Sequence, residues 1–178
     1  MRVPDSALRY FQKKFMLLAI SEPDEIIGHN ARSRKRDGHP FVVDRPFLLR
    51  WFIRPKNDRH NIYFHCFCRD DEDRALRDHP WWNVSLLLHG QYIEVTGVFD
   101  KNDKITGFKR TLYRAGDLKI RRATDAHRVE LQKDKRGNPI PCYSLFMTGR
   151  VSRKWGFLCP TGWRSSTEFH DKKGCIND

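Results

Sequence analysis

The chain has 178 residues, 34 Lys and Arg against 22 Asp and Glu, and a formal net charge of +12; this length builds one core and excludes two large domains. A hydrophobic fraction of 39% and an aromatic fraction of 12% exclude a disordered basic tail and predict a compact body whose positive field attracts polyanions. No run reaches the roughly 20 apolar residues of a membrane-spanning helix; the longest near the N-terminus, Phe15 to Ile20, follows Lys13 and Lys14, so a cytoplasmic protein with no membrane partner is expected.

Residues 5–20 read as an amphipathic helix, with Asp5 or Ser6 as cap and Leu8, Phe11, Phe15 and Leu18 on one face. Residues 21–40 hold Pro23, Gly28, Gly38 and Pro40 around Arg32, Arg34, Lys35 and Arg36, the composition of a solvated loop more than of a nucleic-acid arm. The chain thus divides into residues 1–40, helix and basic loop, and residues 41–178, a β-barrel domain. From Phe41 onward short alternating runs dominate. The expected strands are Phe47–Ile53, Ile62–Cys68, Trp82–Leu88, Gln91–Val98, Ile105–Tyr113, Leu118–Arg122, His127–Leu131, Cys142–Met147 and Val151–Phe157. His89-Gly90 reads as a two-residue hairpin turn. Asp70 to Asp73 read as an acidic helix start leading into Arg74–Arg77, in preference to a metal site. The pattern is all-β, a sandwich or barrel.

Five cysteines, at 66, 68, 142, 159 and 175, follow no framework spacing and read as reduced thiols. A zinc site from Cys66 and Cys68 with Cys142 or Cys159 is the less favoured reading beside buried apolar cysteines.

Two stretches resemble the motifs of the cupins, small jelly-roll barrels in which neighbouring strands offer imidazoles and a carboxylate to one metal. The first motif reads G-x5-H-x-H-x3,4-E-x6-G; Arg77, His79, Asn83 and Gly90 fall at its first imidazole, second imidazole, carboxylate and closing glycine. The second reads G-x5-P-x-G-x2-H-x3-N; Gly116, Arg122, Thr124, His127 and Leu131 fall at its marked positions. The run Arg77-Asp78-His79-Pro80-Trp81 and the ending Trp155 to Trp163 also look like a group of bacterial and phage cupin-like proteins in which His-Asp-His-Pro-Trp is typical, a likeness covering roughly residues 46–170. The resemblance implies a cupin-type double-stranded β-helix, a jelly-roll barrel, with an N-terminal helix.

It also implies a site. On a strand alternate residues share a face, so positions 77, 79 and 83 point inward together. His79 and His127 are the candidate metal ligands or acid–base groups, and His65 would complete a three-imidazole set for iron, zinc, manganese or nickel. Arg77 cannot ligate a cation. Arg77 and Arg122, with Asn83, are therefore candidate ligand-binding residues for a carboxylate or phosphate, the competing reading being ion pairs with Asp78, Asp117 or Asp125. Glu94 reads as a surface cross-strand partner more than as a site carboxylate. The tryptophans read mainly as core, and three basic clusters (Lys119-Arg121-Arg122, Lys133-Lys135-Arg136, Arg150-Arg153-Lys154) form either one positive face or a scattered surface.

Three functions compete. The favoured one is a cupin-fold protein, metal-dependent as an oxygenase, hydrolase or isomerase, acting on or binding a small acidic ligand. The alternative is a metal-free basic barrel, phage-related, that binds nucleic acid or an acidic protein. The third is a metal-free isomerase or anion sensor. Each is compatible with a homodimer.

Overall fold

The computed structural model describes residues 1–28, 46–71, 75–101, 104–159, 162–171 and 175; the basic run Arg32 to Arg36 and the acidic Glu72 and Asp73 lie outside the described residues. Helix α1 spans Asp5–Phe15, and the last five residues of the expected helix, Met16–Ile20, tighten into a 3₁₀ turn. The predicted cap does not form: Pro4 occupies the cap position, with no side-chain hydrogen bond. The helix is anchored by burial instead. Leu8 and Phe15 pack with Trp51, Phe64, Leu86 and Leu88 of the barrel, and Gln12 Nε2 donates to the Leu88 carbonyl at 2.7 Å.

The strands are β1 (Glu25–Ile27), β2 (Leu48–Phe52), β3 (Asn61–Phe67), β4 (Leu76–Arg77), β5 (Asn83–His89), β6 (Gln91–Phe99), β7 (Ile105–Arg114), β8 (Leu118–Arg121), β9 (His127–Leu131), β10 (Cys142–Thr148), β11 (Gly156–Cys159) and β12 (Gly162–Ser165), followed by helix α2 (Ser166–Asp171). All the pairings are antiparallel, in two sheets ordered β1-β2-β3-β10-β5-β8 and β12-β11-β4-β9-β6-β7. Counted from β3 to β10, the central strands run first-eighth-third-sixth in one sheet and second-seventh-fourth-fifth in the other. This is the order of a ribbon of antiparallel pairs wrapped into two Greek keys, a jelly roll.

Several expectations are corrected. His89-Gly90 is not a hairpin turn, because β5 and β6 lie in different sheets. Gly90 turns the corner between them at φ +79°, where a Cβ would meet that of Cys142 at 2.9 Å. Leu76–Arg77 is a strand, not a helix, since it fills the gap between β9 and β11. The expected strand Val151–Phe157 begins only at Gly156; Ser152 is held in a loop by its N–H to the Pro80 carbonyl at 2.8 Å. Cys159 is bonded to Cys175, so these two are not free thiols. Cys66 and Cys68 lie 3.6 Å apart, Sγ to Sγ, on the face under α1, while Cys142 joins the apolar cluster inside the barrel. The cysteines therefore do not assemble a zinc site among the described residues.

Leu87, Tyr92, Val129, Leu131 and Cys142 close one end of the barrel with apolar side chains. Toward the other end the buried inward residues are mostly polar, His65, Asn83, Ser85, Glu94, Arg121, Ser144 and Thr148, with the rings of Tyr63 and Phe146 among them. That end is the mouth. Among the described residues no helix is long and apolar enough to cross a membrane.

Candidate functional site

Four side chains at the mouth form one connected line. β4 enters beside β9 with Arg77 opposite His127, so the residues just after β4 fold over the start of β9. There His79 Nε2 meets His127 Nε2 at 2.9 Å. On the other side of the ring, His127 Nδ1 lies 3.2 Å from Glu94 Oε1, at ion-pair distance but off the line of a hydrogen bond. Glu94 Oε1 accepts from Arg121 Nε at 2.6 Å. Arg121 also donates to Tyr92 Oη at 3.3 Å and to Asn83 Oδ1 at 3.4 Å, and Lys119 Nζ stands 3.6 Å from Glu94 Oε2. Glu94 and Arg121 are 1% and 3% exposed, a buried ion pair at the centre of the barrel.

The line assigns protons. Burial, then the Arg121 charge, hold His127 well below the ordinary imidazole range; burial, then Arg77, do the same for His79. Both rings are therefore neutral near pH 7. In a neutral pair one nitrogen donates and the other accepts. With Nδ1 facing a carboxylate, His127 keeps its proton there and offers the Nε2 lone pair, so His79 donates from Nε2. The His79 ring stacks on Trp81, centroids 4.8 Å apart and planes 11° apart, which fixes its orientation. Burial opposes the Arg121 charge, but Tyr92 and Glu94 more than offset it and raise its proton affinity. Burial pushes the Tyr92 hydroxyl up to about 12.

The other predicted residues divide. His65 faces inward, but its Nε2 accepts from Arg50 Nε at 2.9 Å. Its ring packs on Phe146 at 4.9 Å, and burial, then Arg50, keep it neutral. Asn83 is fully buried beside Arg121. Arg77 reaches Asp71 at 3.7 Å and lies over the Phe47 ring. Arg122, expected inside, is at the rim with its side chain 85% exposed and paired to Asp125. β8 ends at Arg121, and strand alternation makes that residue the inward guanidinium. Glu94, read as a surface residue, is the buried centre of the line. Asp78 is structural: it accepts from Gly156 N at 2.6 Å and Trp163 Nε1 at 2.8 Å and pairs with Arg153. A cavity of about 270 Å³ opens at the mouth, lined by Glu94, Thr96, Lys119, Arg121, Arg122 and His127 among others.

The strand order defines a jelly roll, and comparison with solved structures returns the following similarities. A cupin superfamily protein from Desulfitobacterium hafniense is 14% identical over 58% of this chain and 77% of that one, with a TM-score of 0.39. An RmlC-like cupin protein from Ralstonia eutropha is 11% identical over 76% and 81%, with a TM-score of 0.44. A Klebsiella pneumoniae protein with a double-stranded β-helix domain is 14% identical over 62% and 83%, with a TM-score of 0.43. No protein-family model matches the chain, and no curated protein does. The fold, by its strand order, is a jelly roll.

A cupin-type metal centre draws on the four motif positions, here Arg77, His79, Asn83 and His127. Two of them supply imidazole nitrogen. Of the other candidate donors, His65 Nε2 is taken by Arg50, and Glu94 is engaged by Arg121 and Lys119. No group of three His, Cys, Asp or Glu among the described residues is arranged to hold an ion. A protein metal site needs about three donors, so these residues do not fit one. The basic clusters do not form one face either. Lys119, Arg122 and the 150–154 segment lie at the barrel's mouth, whereas residues 133–136 lie in the turn beyond its apolar end, between β9 and β10.

Proposed function

We propose that the chain binds a small carboxylate- or phosphate-bearing ligand at the barrel mouth and shifts a proton on it, as a metal-independent isomerase does. The observation that carries this reading is the line Glu94–His127–His79, which meets the cavity through Glu94 and His127, with Lys119 and Arg122 in the same lining. Lys119 is a point charge with its amine partly in solvent, and Arg122 offers a planar fork, so the two suit an oxyanion. Arg121 stays with Glu94 and does not bind the ligand.

The His pair supplies the base. A proton taken up at His79 Nδ1 lets the Nε2 proton pass to His127 Nε2. Positive charge then settles on the imidazole beside Glu94, which stabilises it and holds the ring. The burial that depresses both imidazoles, helped by the arginines, makes the charged pair a strong acid, ready to return the proton to a neighbouring atom of the ligand.

A thermal-shift screen of small carboxylates and phosphates, followed by NMR of the hits in D2O, tests this. The expectation is an upward shift in melting temperature with at least one acid and enzyme-dependent exchange of one of its C–H protons. Glu94→Gln should slow that exchange while leaving binding within a fewfold. Absence of any shift across the panel, or exchange unaffected by Glu94→Gln, refutes the proposal.

A further inference from the structure

We infer that Arg121 is the barrel's resident cation and that its presence, beyond the two altered motif positions, closes the centre to divalent metals. The inference rests on the metal-independent half of the reading above and not on its ligand.

The two imidazoles are not themselves the obstacle. Neighbouring ligands at metal–nitrogen distances of about 2.1 Å stand about 3.0 Å apart at octahedral and about 3.4 Å apart at tetrahedral angles, and His79 Nε2 and His127 Nε2, at 2.9 Å, are within reach of the first. What differs is their surroundings. A guanidinium that cannot be deprotonated sits 3% exposed in the space between β8, β5 and β6. It takes Glu94 through Nε and Nη2, at 2.6 and 2.5 Å, and it takes the Asn83 oxygen through Nη1. Position 83 is where the cupin motif carries its carboxylate ligand. A glutamate restored there would meet Arg121 and form a second charge-assisted pair, which neutralises it as a ligand. The fixed charge also repels a dication in a water-poor interior, where repulsion is weakly screened. Restoring ligand identities is therefore insufficient while Arg121 remains.

Three proteins test this: wild type, Arg77→His/Asn83→Glu, and the same double variant with Arg121→Met. Each is incubated with Zn²⁺, Mn²⁺ or Ni²⁺ and passed through gel filtration. Metal per chain is read by mass spectrometry and the melting temperature with and without metal. The expected result is substoichiometric metal and no metal-dependent shift for the first two, with a stoichiometric ion and an upward shift for the third. Should Arg121→Met not fold, Arg121→Gln in the same background keeps a donor for Glu94 and is read identically. Stoichiometric metal on either protein that keeps Arg121 overturns the inference, as does a folded variant lacking Arg121 that still takes none. Neither outcome bears on anion binding, so failure of the ligand screen is distinguishable from failure here.

Discussion

Replacing Glu94 by Leu removes the carboxylate that, among the described residues, pairs with Arg121, and strands a guanidinium that is 3% exposed, with Tyr92 and Asn83 at 3.3 and 3.4 Å. Breaking a buried pair from one side costs about 3–5 kcal/mol, because the surviving charge is left uncompensated. Arg121→Met leaves Glu94 buried beside Lys119 at 3.6 Å, so its cost falls toward the lower end of that range. Removing both charges removes the desolvation penalty along with the attraction, and a repacked apolar pair is neutral or stabilising by about 1–4 kcal/mol. The double variant should therefore melt near the wild type, while each single variant melts about 6–20 °C lower, at roughly 2–4 °C per kcal/mol for a chain of this size. Equilibrium urea unfolding of all four proteins, followed by circular dichroism, closes the cycle. Single variants within about 1 kcal/mol of wild type, or a double variant whose loss equals the sum of the two, would refute a buried, mutually dependent pair.

Acid should weaken the fold through its histidines. His65, His79 and His127 have folded-state proton affinities depressed by burial first and by nearby cations second. The unfolded chain binds protons at these positions below about pH 6.5 and the folded chain does not. Their stabilisation is thus fully present above neutrality and falls with acidification by up to ~1.4 kcal/mol per pH unit for each; equal urea midpoints at pH 7.5 and 5.5 would contradict it. Reducing Cys159–Cys175, which closes a loop of sequence separation 16, should cost about 3 kcal/mol, and an unchanged melting temperature in dithiothreitol would show that the bridge adds nothing. Asp78→Ala removes the acceptor for Gly156 N, Trp163 Nε1 and Arg153; a loss of about 2–4 kcal/mol with a red-shifted tryptophan spectrum is expected, and an unchanged spectrum would detach Trp163 from this anchor.

Most of the strands were legible because their alternation is regular, and the His79–His127 meeting followed from the motif spacing. Glu94 and Arg121 were not legible for one shared reason. Strand reading assumes that apolar residues face in. On β8, Ile120 is 61% exposed while Arg121 is 3% exposed, an inverted order. On β6, Val95 is buried although it sits on the outer face opposite Arg110 and Arg128, and apolar residues at 93 and 95 make Glu94 look outward. A barrel with a polar interior reverses the signal at the positions that carry its chemistry, and the reversal itself marks them. The helix expected over 74–77 failed differently: a two-residue strand is too short to show any period.

The pairing of β3 with β10 joins segments about eighty residues apart, and Arg77 meets His127 only when β4 finds β9. Such distant pairings carry a high loop-closure cost and slow the search for the native state. The contact between His79 and His127, 48 positions apart, depends on the second of these closures. The imidazole pair therefore reports the docking of β4 on β9, and a fraction of chains trapped with that pairing open would keep most of the strands while lacking the centre altogether.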